Sequence, residues 1–179
     1  MSCSATLAGL AQDCAASMGG VKKILIRPWA PGLFTEQVGD ENKVHVASLT
    51  ISTTVWKAYY FRNGNANVNT QLTIDNQNGV NFCTTTLELT ATRQETVKRE
   101  EFSALQSSEV AVVYQDMNGI WWALGIDGPV TAESGEAQSG ANKTDGNFYK
   151  INLVTESATF PIELNSYSST IANKIQYPT

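Results

Sequence analysis

Residues 108–126 read SEVAVVYQDMNGIWWALGI, two apolar runs separated by the turn DMNG at positions 116–119. The runs are rich in Val, Tyr, Ile and Trp, which favour extended backbone in a half-buried sheet. Asn118 and Gly119 tolerate the positive φ angles that tight hairpin turns require. The stretch therefore predicts a β-hairpin, and with it an antiparallel sheet.

A second hairpin is predicted upstream, where residues 70–74 and 80–93 flank the turn DNQNG at positions 75–79. In the longer segment, the side chains at odd positions face one way and comprise Cys83, Thr85, Leu87, Leu89 and Ala91. Those at even positions face the other way and comprise Phe82, Thr84, Thr86, Glu88, Thr90 and Thr92. The even positions therefore form a polar, threonine-rich sheet surface with full strand propensity.

The rest of the chain predicts more strands and one helix. Strand segments lie at residues 23–27 and 43–62, and a long final strand is predicted at 148–164. Apolar alternation slips near Ala47-Ser48, which indicates a bulge or bend. Residues 63–69 and 133–142 are polar and predict loops.

A single internal helix is predicted at residues 95–106. Val97, Phe102 and Leu105 form a narrow apolar stripe beside Glu101, and no capping box precedes it. The fold class that follows is mainly β: an antiparallel β-sandwich or half-barrel with one flanking α-helix. Its expected parts are an N-terminal arm or short helix at residues 1–20, the β-sandwich domain at 21–165 and a C-terminal arm at 166–179.

Composition limits the possible functions. The 179 residues suit one domain, and 42% apolar residues suffice for a core. A net charge of −5 argues against a protein that grips nucleic acid by its phosphates. No apolar run approaches the ~20 residues of a membrane span, so no membrane partner is expected. No basic residue precedes the apolar part of residues 1–20, so a signal peptide is not expected. We therefore expect a cytoplasmic origin.

The residues that carry chemistry are few. His45 is the only histidine, and it lies between two valines of a predicted strand. Cys3, Cys14 and Cys83 have no metal-binding spacing and are interpreted as free thiols. Two residues separate Gly140 from Lys143, whereas a phosphate-binding loop has the Lys directly after its second Gly, and a strand rather than a helix follows. We expect no catalytic residue, no metal and no cofactor, and hence no enzyme.

Trp121 and Trp122 are adjacent in a predicted strand, so their side chains point to opposite faces of the sheet. Only one of them can join a given core face. The other lies at an interface, in a ligand site or beneath a loop or helix, unless both faces of the sheet are covered. Both residues are therefore candidate interface residues, because Trp is enriched where a partner covers it.

The order of elements resembles that of tail tube proteins of tailed bacteriophages: strands, a polar-tipped hairpin, a central helix, a tight hairpin and a long last strand. Residues 139–153, SGANKTDGNFYKINL, are similar to a G-x-x-x-D-x-x-G-Y-x-I-x-L run of phage tail and related virion proteins. Phe148-Tyr149 stands where that run has Gly-Tyr. Cys3, Cys14 and the segment GGVKKI also resemble virion proteins of phages that infect the Bacteroides group.

The resemblance implies a virion protein assembled in the host cytoplasm. Its subunits would join their sheets into a ring, usually of six, and the rings would stack into a tube through which DNA passes without specific binding. The candidate lumen face comprises Thr84, Thr86, Glu88, Thr90 and Thr92, with residues 70–74 beside it. Arg62, Arg93 and Lys98-Arg99 would lie at subunit contacts or on the outside. Other tail or connector proteins would be further partners.

Two alternatives remain open from the sequence. One is another ring protein of similar fold, such as a head–tail connector, a tail terminator or a baseplate component. The other is a solitary β-sandwich that binds a glycan or a protein through Trp121 or Trp122. An enzyme is the least favoured class.

Overall fold

The computed structural model describes residues 16–38, 44–49, 55–62, 64–164 and 175–176, with backbone alone at 35–38 and 44–49. Most of the two predicted arms, and Cys3 and Cys14 with them, lie outside the described residues. Described residues 16–20 belong to no helix or strand, and Met18 exchanges hydrogen bonds with the Asn118 side chain at the tip of a hairpin.

Strands dominate the described chain, which confirms the mainly-β prediction. In chain order the elements are β1 (Val21–Pro28), β2 (Phe34–Val38), β3 (Val44–Leu49), β4 (Trp56–Tyr59), β5 (Ala66–Asp75), β6 (Val80–Thr92), α1 (Thr96–Gln106), β7 (Val110–Asp116), β8 (Trp121–Leu124), β9 (Thr131–Gln138), β10 (Phe148–Ser157), β11 (Ile162–Glu163) and β12 (Ile175–Gln176).

Two larger sheets pack face to face as a β-sandwich. The six-stranded sheet has the order β11-β8-β7-β1-β4-β12, and the four-stranded sheet has the order β5-β6-β10-β9. All neighbouring pairs in them are antiparallel except β12 with β4. Strands β2 and β3 form a separate two-stranded sheet, and β3 lies near β11.

The six-stranded sheet is buried on both faces. One face packs on the four-stranded sheet through side chains such as Ile24, Leu87 and Leu153. The opposite face forms a second cluster around Leu25 and Val113. Burial on both faces explains why β7 is a continuous apolar run rather than an alternating one.

Both predicted hairpins are confirmed. Gly79 and Gly119 lie at the tips of β5–β6 and β7–β8 with φ angles of 68° and 92°. The Asp75 carboxylate accepts the backbone N–H of Gln77 at 2.9 Å and closes the first turn. The predicted irregularity at Ala47 is also present, since the register of β2 with β3 skips that residue.

The helix is confirmed at Thr96–Gln106. Its N-cap residue, Glu95, makes no side-chain capping bond. Leu105 is buried, and the Phe102 ring lies 6.1 Å from that of Tyr149. Val97, which the sequence pattern grouped with Phe102 and Leu105, is instead 76% exposed. The buried residue of α1 is therefore in its C-terminal half.

The predicted final strand at residues 148–164 is wrong as a single element. Strand β10 ends at Ser157, and β11 pairs with β8 in the other sheet. Pro161 lacks the N–H that a continuing strand needs, and Asp127 Oδ2 accepts the Ala158 N–H at 3.0 Å. The chain crosses from one sheet to the other at this turn.

The two predicted loops are shorter than expected. Strand β5 begins at Ala66, inside the polar segment predicted as a loop at residues 63–69. Strand β9 extends to Gln138, inside the predicted loop at 133–142. Strand β2 was not predicted at all. Strands β5 and β9 lie at the edges of the four-stranded sheet, where few of their side chains are buried, so their segments lack a clear apolar alternation.

Candidate functional site

The candidate lumen residues lie on one surface, which we call the outer face: the side of the four-stranded sheet turned away from the six-stranded sheet. Odd-numbered residues of β6 from Cys83 to Leu89 are buried in the sandwich, and the even-numbered ones point outward and are at least partly exposed. The outward set contains the five predicted residues Thr84, Thr86, Glu88, Thr90 and Thr92. The sequence alternation therefore predicted this surface correctly.

Neighbouring strands extend the same polar surface. In β5, Asn67, Asn69 and Gln71 lie opposite Glu88, Thr86 and Thr84. In β10, Asn152 lies opposite Glu88 and also opposite Ser134 of β9. The Asn152 side chain donates to Ser134 Oγ at 2.9 Å. Short uncharged polar side chains thus occupy the surface across all four strands.

Charge on the outer face is sparse and mostly acidic, since Asp75, Glu88, Glu136 and Glu156 of the described strands share this face with one Lys. Lys150 Nζ lies 2.9 Å from Glu88 Oε2, and Glu136 stands opposite Lys150 on β9. Lys150 is the only Lys or Arg that the described strands direct to this face. Arg93 and Lys98 lie beyond the end of β6, where both pair with Glu95.

Helix α1 packs on the inner face of the four-stranded sheet. Phe102 contacts Tyr149, and Leu105 joins the cluster that contains Ile151 and Leu153. A groove of about 600 Å³ lies between α1 and strands β9 and β10. The helix therefore leaves the outer face uncovered.

Both edges of the four-stranded sheet are open in the described part of the chain. Strand β5, ten residues long, pairs only with β6, and strand β9, eight residues long, pairs only with β10. An open edge presents a row of unpaired backbone N–H and C=O groups that can pair with another chain. Glu133 and Glu136 make the β9 edge acidic, whereas β5 carries no charge before Asp75.

The two adjacent Trp residues occupy opposite faces of the six-stranded sheet. Trp121 is buried in the second cluster, and half-buried Trp122 borders the first, where its Nε1 donates to Asp116 Oδ2 at 3.3 Å. Neither residue lies on the outer face. Their role at an interface stays a prediction.

Trp122 also lines a groove of about 540 Å³ at the turn where the chain passes from β10 to β11. Exposed Phe160 stands at the same groove, with the carboxylates of Asp127 and Glu163. The Asp127 carboxylate is engaged by the Ala158 N–H, so it fixes the turn. The groove combines aromatic surface with acceptor groups.

The perturbed titratable groups have structural explanations. The Tyr59 hydroxyl donates to Glu101 Oε1, and burial first, then this contact, raises the pKa of Tyr59 far above its ordinary value. Burial, and secondarily Asp116, raises the pKa of Tyr114 in the same direction. Both phenols stay neutral at physiological pH. Arg27 is buried over the Trp56 ring at 5.6 Å, and burial lowers its pKa.

His45, the one candidate base of a catalytic triad, belongs to β3 and pairs across the strand with Gln37, and its side chain lies outside the described residues. Among the described side chains, no three of the His, Cys, Asp or Glu type stand close enough to hold a metal ion. Cys83 is a buried free thiol. The segment around Gly140 and Lys143, which the sequence excluded as a phosphate-binding loop, is the turn after β9, in which Asp145 accepts hydrogen bonds from the backbone N–H groups of Ala141 and Asn142.

No protein-family model, curated protein or solved structure matches this chain. In the described part of the chain, no helix has the length and apolar character needed to cross a membrane.

Proposed function

We propose that the protein is a ring-forming structural subunit of a phage virion, a tail tube protein that lines a conduit for DNA. One observation carries the proposal: in the described part of the chain, the four-stranded sheet has two open edges and an uncovered outer face to which its strands direct a single Lys and no Arg. Open edges supply the means of joining copies. The outer face supplies a surface past which DNA can slide.

Ring closure would pair strand β5 of one copy with strand β9 of the next. Such a contact uses two different surfaces of the subunit, and it closes into a ring when the rotation between copies allows. The six copies implied by the resemblance to tail tube proteins would give 24 strands. At a strand spacing of ~4.8 Å the circumference is on the order of 115 Å. Barrels of about 16 strands already leave an aqueous channel, so a ring of 24 strands would enclose an open channel as well.

The outer face suits passage rather than binding of DNA. Each phosphate that a protein neutralises with Lys or Arg releases counterions and adds affinity. Lys150 is already neutralised by Glu88, and the threonine, asparagine and glutamine side chains around it carry no charge. DNA would therefore meet a hydrated surface with no array of free cations.

A head–tail connector, tail terminator or baseplate ring would use the same open edges, and these remain alternatives within the class. A second class is a solitary module that binds a glycan or a protein. The groove between Trp122 and Phe160 favours it, because aromatic surface beside Asp127 and Glu163 suits a polar ligand with an apolar face. If the protein is monomeric and binds to glycans on an array, this second class is supported.

The edge contact is tested with two matched double variants on β5. Asn69→Glu with Gln71→Glu adds two acids to the edge that would meet Glu133 and Glu136 of the neighbour, so we expect ring assembly to weaken at low salt and to recover at high salt. Asn69→Lys with Gln71→Lys has the same side-chain positions and should assemble at least as well as the parent. Size-exclusion chromatography with light scattering measures both. Equal assembly of both variants at low salt would contradict β5–β9 pairing.

A further inference from the structure

The groove at the turn from β10 to β11 has two aromatic walls. One wall is Trp122, whose Nε1 donates to Asp116 Oδ2 at 3.3 Å, so its ring is held in place. The other is Phe160, which is 55% exposed and belongs to the turn that Asp127 fixes through the Ala158 N–H. Its volume of about 540 Å³ lies within the range of small-molecule sites. The groove is thus large enough for a small organic ligand.

Two carboxylates line this groove, and its lining includes no Lys, Arg or His. Glu163 pairs with Trp122 across β11 and β8, so the two side chains lie on the same face of the sheet. Asp127 accepts a backbone N–H, which leaves the charge of its carboxylate unbalanced. No described Lys or Arg lies within ion-pair distance of either carboxylate. The groove therefore carries two negative charges that the described side chains do not neutralise.

A buried hydroxyl also lines the groove. Thr155 is 5% exposed and, like Leu153, lies on the inner face of β10. Its cross-strand partner Thr85 hydrogen-bonds instead to Thr70, with 2.9 Å between the hydroxyl oxygens. Within the described part of the chain, the Thr155 hydroxyl makes no hydrogen bond. Because burial of a polar group without a partner is unfavourable, this hydroxyl is suited to a ligand.

We infer that this groove binds a polyamine, an aliphatic chain that carries two or more ammonium groups. Aromatic faces attract ammonium groups and also pack against the methylene groups between them. Two carboxylates match a ligand with at least two positive charges better than they match a single Lys or Arg side chain of another protein. The Thr155 hydroxyl can accept a hydrogen bond from an ammonium group.

The charge of the groove favours a cation over a neutral sugar, which would leave both carboxylates unbalanced. The groove also lies apart from the outer face and from the edges β5 and β9. The inference therefore goes beyond the proposed function and does not rest on it.

Isothermal titration calorimetry of the purified full chain with spermidine tests the inference. The reference ligand is 1-aminobutane, which carries one ammonium group on a short aliphatic chain. We expect spermidine to bind and 1-aminobutane to bind more weakly by on the order of tenfold, because it lacks a partner for the second carboxylate.

Substitutions at exposed positions locate the binding. Glu163→Gln removes one carboxylate and should weaken spermidine binding by on the order of tenfold. Phe160→Ala removes one wall and should weaken it by roughly two- to fivefold. The matched control is Glu156→Gln, which changes the net charge equally at an exposed position on the opposite face of β10 from Thr155. The control should bind spermidine like the parent, and melting temperatures check the folding of each variant.

Thr155→Val distinguishes a ligand contact from a structural role. Valine has a similar shape and lacks the hydroxyl, so the melting temperature should stay the same or rise while spermidine binding weakens. A lower melting temperature with unchanged spermidine binding would contradict the role of this hydroxyl.

An absence of binding heat when the parent is titrated with millimolar spermidine would overturn the inference, and so would equal affinities for spermidine and 1-aminobutane. Equal losses in Glu163→Gln and Glu156→Gln would overturn it as well, because the attraction would then follow net charge rather than the groove. None of these results bears on ring assembly, which is measured separately.

Discussion

Lys150 Nζ and Glu88 Oε2 lie 2.9 Å apart on the outer face, across the paired strands β10 and β6. Both side chains are about one-third exposed, so the ion pair adds little to stability. Its consequence is electrostatic, because it neutralises the one cation that the described strands direct to this face. The proposed lumen depends on that neutralisation.

Glu88→Gln should therefore make assembled particles bind duplex DNA at low salt. The substitution removes the carboxylate that contacts Lys150 in every copy and leaves only Glu136 opposite it on β9. The weaker neutralisation of this array of cations adds counterion-release affinity that falls steeply with salt. Fluorescence anisotropy of labelled duplex DNA across a salt series measures the effect. Glu88→Gln combined with Lys150→Gln is the matched control and should bind no better than the parent. Salt-independent binding by the single variant would contradict the mechanism.

The two faces of β6 should respond differently to truncation. Leu87 is fully buried between the sheets, so Leu87→Ala should destabilise the fold by about 2–5 kcal/mol. Its neighbour Thr86 points to the outer face, and Thr86→Ala should cost no more than about 1 kcal/mol, the range of strand propensities. Urea denaturation measures both. Equal losses would mean that the outer face is covered within the subunit.

The hairpin glycines should resist substitution. Gly79 and Gly119 have positive φ angles, so Gly79→Ala or Gly119→Ala should cost about 1–2 kcal/mol through backbone strain. Gly128 has an ordinary φ angle and open space around its Cβ position, so Gly128→Ala should be tolerated. Thermal unfolding of the three variants supplies the comparison. If Gly128→Ala lost as much stability as Gly119→Ala, the positive φ angle would not explain the cost at Gly119.

Stability should fall in alkaline solution because of buried phenols. Burial raises the pKa of Tyr114 above its ordinary value of 10.0, so the folded protein holds this proton more tightly than the unfolded chain. The resulting stabilisation is fully present below pH 10 and is lost as the pH rises toward the folded-state pKa. Tyr114→Phe should lessen the decline of the melting temperature above pH 10. If the melting temperature of Tyr114→Phe fell as steeply above pH 10 as that of the parent, the alkaline loss of stability would come from other groups.

The parts of the fold that were predictable are those in which local pattern and burial agree. The alternation from Cys83 to Thr92 gave the correct assignment of every side chain to a face, because one face of β6 is buried and the other is not. The Asn-Gly turns at Gly79 and Gly119 predicted their hairpins, because few residues other than Gly and Asn adopt those φ angles readily.

The rest depends on tertiary pairing that no local pattern records. Strand β9 lies at an edge. Its inner positions are Ala132, Gly135 and Ala137, which are too small to produce an apolar alternation in the sequence. A weak alternation of small and polar residues was its one available signal. The crossing from β10 to β11 and the overhang of the β5–β6 hairpin both depend on how far β10 pairs with β6. The open edges of the candidate site follow from the same pairing.

The central claim is that copies join sheet to sheet into a closed ring around an open channel. Electron microscopy of the purified full chain at high concentration, with two-dimensional class averages, tests it most directly. The account predicts closed rings with a stain-filled centre and a subunit count near six, stacked into short tubes. A protein that stays monomeric at every concentration, and shows no rings in the averages, would contradict it.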